Sequence, residues 1–270
     1  MSIPAGSSPA SAIRIRTSIL LAFALVMPAV AGASLEFQEG IARNPDSNTV
    51  LYRERHWLRS DDGRPIERLV LYLCPNGQVF GRKRVDYQRS ATAPAFRFDD
   101  ARVGYVEGLR NGPEPVLFYR ASADAPERSA ALPSNQLVAD AGFDEFIRRH
   151  WSTLAAGAAV PLDFALPARL QSFGFSLRRI GTGRVAGEPA WIFRLRLAGI
   201  LGWIAPHIDV SYGQQSRRLL SFEGLSNIRD DRGDKQTIAR IDFPRPPQPV
   251  ADSQWQSAMS LPVLACAIGR

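Results

Sequence analysis

The chain has 270 residues, 45% of them hydrophobic and 22% charged, with a formal net charge of +7, three histidines and two cysteines. That length buries a substantial core without staples and fits one large domain or two small ones. Thirty-one of the 33 basic residues are arginine, the lysines being Lys83 and Lys235. Arginine suits bidentate contact with carboxylate or phosphate, so the excess reads either as a solvated surface or as a face for anionic lipid or an envelope polyanion. The charge is scattered along the chain, which argues against nucleic acid as a partner.

The N-terminus carries an address. Arg14 and Arg16 precede an apolar run, Ile19 to Val30, and Ala31-Gly32-Ala33 follows as an A-x-A cleavage signal. A dozen apolar residues are too few for a bilayer core, which takes roughly 20. Residues 1–33 are therefore predicted to be a signal peptide, giving a periplasmic product that begins near Ser34. No cysteine follows the cleavage site to take a lipid, and no transmembrane segment is expected after cleavage. The mature net charge falls to +5, because the leader carries two arginines and no acid.

From there the hydrophobic period is two. Alternation predicts strands over Val50–Arg59, Glu67–Cys74, Gln78–Tyr87, Val103–Leu109 and Val116–Arg120. It also predicts them over Arg169–Ile180, Trp191–Leu197, Ile208–Tyr212, Arg217–Glu223 and Thr237–Phe243. Asn76-Gly77 reads as a hairpin turn, and Gly181 to Gly187 links two further strands. Ala121–Asn135 reads as a polar linker. Asp140 to Ala156 departs from the pattern: Phe143, Phe146, Ile147, Trp151 and Leu154 recur at helical spacing, with Gly157 as the stop. Pro244–Pro249 ends the regular pattern. The expected fold class is α+β, mainly antiparallel β: a curved sheet or incomplete β-barrel packed on one amphipathic helix over about 140–156. The domain spans 34–245 and is followed by a tail, 246–270.

The catalytic inventory is thin, and no catalytic residue, metal ligand or cofactor motif is assigned. Gly224-Leu-Ser226 starts like a nucleophile elbow but lacks the second glycine. Gly181-x-Gly183-x-x-Ala186 matches a relaxed dinucleotide fingerprint between two strands, where no helix N-terminus waits for a pyrophosphate. Paired acids such as Asp99-Asp100 and Asp230-Asp231 suit turns. Cys74 and Cys266 form either a disulfide or two buried thiols. The candidate ligand-binding residues are Glu54, His56, Tyr105, Glu107, Trp151, Ile200 and Trp203. Tyr52, Glu54 and His56 share one strand face, which looks either to solvent or into a curved sheet. Tyr105 and Glu107 lie in a polar, aromatic stretch, Asp99 to Gly108. Leu197 to Pro206 is the most apolar stretch of the mature chain, either buried or exposed to acyl chains at Ile200 and Trp203.

Cys74-Pro-Asn-Gly77, Asp99-Asp-Ala-Arg102-Val-Gly-Tyr105-Val-Glu-Gly108, Asp140-Ala-Gly-Phe143-Asp144 with Trp151, and Gly224-Leu-Ser-Asn-Ile228 resemble signatures of uncharacterised exported proteobacterial proteins. The strand order and Arg218-Leu-Leu-Ser-Phe-Glu-Gly224 resemble the lipoprotein-carrier superfamily of periplasmic LolA- and LolB-like proteins. That resemblance implies an incomplete barrel around helices whose hollow takes acyl chains. The resulting expectation is a non-enzymatic envelope protein holding an apolar or lipid-like ligand. A structural or assembly protein with a filled core, meeting an outer-membrane or envelope partner, is the alternative, and a hydrolase the third reading.

Overall fold

The computed structural model describes residues 33–132, 137–199 and 206–269, together with 1, 2 and 6. Nearly all of the predicted signal peptide lies outside the described residues, and so do Ile200 and Trp203.

Eight strands run in chain order as an antiparallel meander: β1 (Ser34–Arg43), β2 (Val50–Asp61), β3 (Arg64–Leu73), β4 (Val79–Asp86), β5 (Ala95–Asp100), β6 (Tyr105–Arg110), β7 (Val116–Arg120) and β8 (Arg128–Ala131). After β9 (Leu137–Val138) come two helices, α1 (Gly142–Arg149) and α2 (Trp151–Ala155). A second meander follows: β10 (Val160–Leu166), β11 (Gln171–Val185), β12 (Glu188–Leu197), β13 (Ile208–Gly213), β14 (Leu219–Arg229) and β15 (Gln236–Asp242). β15 pairs with β1 over Ile41–Arg43, fusing the two meanders into one sheet. β16 (Gln248–Pro249) pairs with the other half of β1, and α3 (Asp252–Ser260) follows it. Among the described residues every strand pairing is antiparallel except that of β9 with β10.

The two edges of this sheet, β8 and β9, are consecutive in the chain. Only residues 132–136 separate them, a link that spans at most about 20 Å. The sheet must therefore curl until its edges approach. A 3-10 turn at Pro167–Arg169, between β10 and β11, packs against β6 and β7 across the gap. Leu109 and Leu117 from one side meet Leu137, Ala139 and Ala165 from the other in a buried cluster along this seam. The result is a rolled, incompletely closed barrel, as the fold class anticipated.

Three sequence expectations need correction. The helix expected over 140–156 is shorter and broken. Asp140 sits at φ +44, outside helical conformation, and His150 at φ −98, ψ 17 separates α1 from α2. Gly142 opens α1 because a Cβ there would stand 2.1 Å from the Thr92 carbonyl oxygen. The linker at 121–135 contains β8, which closes the first meander. The Gly181–Gly187 connection is mostly strand, since β11 runs to Val185. The turn is Ala186-Gly187, both at positive φ, as a two-residue hairpin of this twist requires.

The tail is also part of the fold. Trp255 and Ala258 of α3 bury Leu35, Trp57, Leu69, Leu71, Leu73 and Val79 on the outer face of β1–β4. Gly269 N–H donates to the Leu51 carbonyl and Leu264 N–H to that of Val79. Cys266 is bridged to Cys74, 192 residues away in sequence, with Cα atoms 6.3 Å apart. This second cover explains why Leu69–Leu73 is a continuous apolar run: both faces of β3 are buried.

Candidate functional site

The curl decides which strand face looks inward. On the first meander, register aligns His56, Val70, Lys83, Phe98 and Glu107 in one row across β2–β6. The row beside it starts with Glu54 and Tyr72. Both rows face the interior, so Glu54, Lys83 and Glu107 are buried at 6%, 7% and 7% exposure. From the opposite side β12–β15 contribute Leu195, Ile208, Val210, Phe222 and Ile241, and Phe243 follows just past β15. Between them lies a cavity of about 330 Å³, at the small end of the roughly 300–1,000 Å³ usual for small-molecule sites. One wall is apolar and the other charged.

The polar wall is a set of pairs. His56 Nε2 lies 2.8 Å from Glu54 Oε2, and the ring stands edge-on to Phe243. Lys83 Nζ donates to Asp140 Oδ1 at 2.5 Å, leaving the buried Asp140 Oδ2 without a partner among the described residues. Asp144, on α1, accepts from Arg68 at 3.1 Å and from the Tyr212 hydroxyl at 2.5 Å. Glu107 accepts from the Tyr105 hydroxyl at 2.6 Å. The electrostatics of two carboxylates diverge. Burial pushes Glu107 above the usual carboxylate range, only partly offset by the Tyr105 hydrogen bond and by Lys83. Burial also acts upward on Asp144, but Arg68, Arg148 and Tyr212 outweigh it and hold the group below that range.

Of the residues singled out from sequence, Glu54, His56 and Glu107 line the cavity together. Tyr105 stands behind Glu107 and orients it. Trp151 does not line the cavity. Its ring packs on Trp191, 4.9 Å between centroids, within a core formed with Phe193 and Tyr212. The reason is its place on α2, beyond the break at His150, beneath β11–β13. Arg68, Lys83 and Tyr212 were missed. Lys83 is in register with Val70 of the inner row, but an irregularity where Leu73 pairs with Val79 hides that parity from the sequence. Asp140 and Asp144 were visible only as a motif with no chemistry attached.

Catalytic geometry is sparse. Ser226 lines the cavity, but its hydroxyl bonds to the Ile228 backbone, and His56 makes no hydrogen bond to a serine, threonine or cysteine among the described residues. No group of three or more His, Cys, Asp or Glu side chains among them is placed to hold a metal ion. No described helix is long and apolar enough to cross a membrane.

No protein-family model and no curated protein matches the sequence. Among solved structures the chain is similar to a β-barrel-like protein of a domain of unknown function, DUF1849, from Brucella abortus. The two share 7% identity at a TM-score of 0.38, over 78% of this chain and 98% of that one. The likeness to lipoprotein carriers rests on sequence pattern alone.

Proposed function

We propose that this protein is an exported, cell-envelope binding module that holds an amphipathic, lipid-like ligand inside the rolled sheet. The observation that carries the reading is the two-sided cavity. Aliphatic and aromatic side chains of β12–β15 offer a dry surface for a tail, and the Glu54–His56 and Tyr105–Glu107 pairs offer a polar end. Apolar burial contributes about 25 cal/mol per Å² removed from water, enough for useful affinity without a catalytic motif. A core packed solid would have favoured a purely structural role. The leader-like segment at 1–33 and the Cys74–Cys266 bridge both support an oxidising compartment.

The test is native mass spectrometry of the mature protein purified from its own cells, followed by titration with a fluorescent fatty acid. A retained lipid-sized mass and saturable binding are expected. Ile208→Trp, which fills the apolar wall, should weaken binding at least tenfold while preserving the circular dichroism spectrum. A wild-type protein that carries nothing and binds no acyl probe at high micromolar concentration would overturn the reading.

A further inference from the structure

A second groove lies beside the cavity, sharing only Arg68 and Phe96 with its lining. This groove, of about 720 Å³, runs over β3–β7 beside α3. Met259 and the largely buried rings of Trp255 and Phe118 line one side of it. Along it lie Arg84 on β4, Arg89 just after it, Arg97 on β5 and Arg110 on β6, all exposed. Arg84 and Arg97 are direct cross-strand partners, an arrangement in which like charges repel.

The local acids neutralise only part of this array. Arg97 is clamped by Asp99 at 2.7 Å, and Arg110 pairs with Glu127 at 2.7 Å while stacking 3.8 Å over the Phe118 ring. Glu67, at one end, is engaged by Arg59, and Asp86 accepts the Gln88 amide. Arg84 and Arg89 make no ion pair among the described residues. Neighbouring strands are about 4.8 Å apart, so the guanidinium groups form a close-set array on one side of the molecule, next to an apolar wall. Guanidinium forks match phosphate oxygens bidentately.

We propose that this groove docks the protein on an anionic membrane surface, with Arg84 and Arg89 gripping lipid phosphates and the half-buried Met259 beside them at the headgroup boundary. Charge complementarity selects the occupant: Arg84 and Arg89, which make no ion pair among the described residues, match a phosphate beside hydrocarbon.

The experiment is co-sedimentation of the mature protein with vesicles at low salt. Vesicles containing phosphatidylglycerol should bind and pure phosphatidylcholine should not. Arg84→Gln/Arg89→Gln should weaken binding about 5-fold per charge removed. Arg184→Gln/Arg232→Gln, exposed elsewhere and identical in net charge, should leave it unchanged. All these positions are on the surface, so folding is checked simply by circular dichroism. Equal losses from the two double variants would assign binding to net charge and overturn the site. Absence of vesicle binding would overturn it as well, and binding of polyglutamate alone would point to an acidic protein partner instead.

Discussion

Removing the charge of Asp144 should be the most destabilising polar change in the cavity wall. Its carboxylate joins three parts of the fold: α1, which carries it, β3 through Arg68 at 3.1 Å, and β13 through the Tyr212 hydroxyl at 2.5 Å. The side chains of Asp144 and Arg68 are only 12% and 13% exposed, so solvent screens the pair weakly. In Asp144→Asn the amide oxygen can still accept from Tyr212, but the guanidinium of Arg68 stays charged and loses its closest counter-charge. Breaking a buried pair from one side costs about 3–5 kcal/mol. Asp140 still lies close enough to act on Arg68, which places the expectation near the lower bound, about 3 kcal/mol. For a chain of this size that is a fall in Tm of roughly 6–12 °C. The pH dependence has a definite sign. The folded carboxyl titrates below its ordinary value of 3.8, so its contribution is complete above that pH and is lost as pH falls through the folded value. Urea titrations should therefore show the full gap between wild type and variant at pH 7 and a narrowing gap below about pH 4. A loss under about 1 kcal/mol at pH 7, or a gap that does not narrow in acid, would refute the assignment of Asp144 as a charged brace.

Glu107→Gln should behave in the opposite sense. Burial raises the folded Glu107 carboxyl, so its ionisation weakens the fold as pH rises above its ordinary value of 4.5; the variant should gain stability relative to wild type from pH 4 towards 7 in thermal melts, and a pH-independent difference would count against a buried carboxylate. Trp151→Ala should cost about 3–5 kcal/mol in denaturant titration, because the ring is buried against Trp191 and Phe193; a loss under about 0.5 kcal/mol would put α2 in solvent.

Much of the sheet was legible from local pattern. Alternation in Val50–Arg59 or Trp191–Leu197 states that a segment is a strand and which residues share a face, because successive side chains of a strand point to opposite sides. The grouping of Glu54 with His56, and of Tyr105 with Glu107, follows from that period alone. The aromatic helix also announced itself through spacing, although not its break at His150, which depends on how two short helices seat on the barrel. Strands β1, β5 and β10 were missed, as were the short β8, β9 and β16; β1 and β10 are only partly apolar and gain their order from neighbours on both sides.

What period two cannot say is whether a polar face looks at water or at a cavity. The same Glu54–His56 face would be a solvated surface on a flat sheet. It becomes a cavity wall because the edges β8 and β9 are joined by five residues, which rolls the sheet, and because α3 and the Cys74–Cys266 bridge cover the opposite face. The pairings Lys83–Asp140, Arg68–Asp144 and Tyr212–Asp144 span 57, 76 and 68 residues. No local spacing encodes them, since only chain closure brings those groups within hydrogen-bond reach. Residue types and strand faces are written in the sequence itself. The inside of the barrel, and therefore the site, exists only once the sheet has curled.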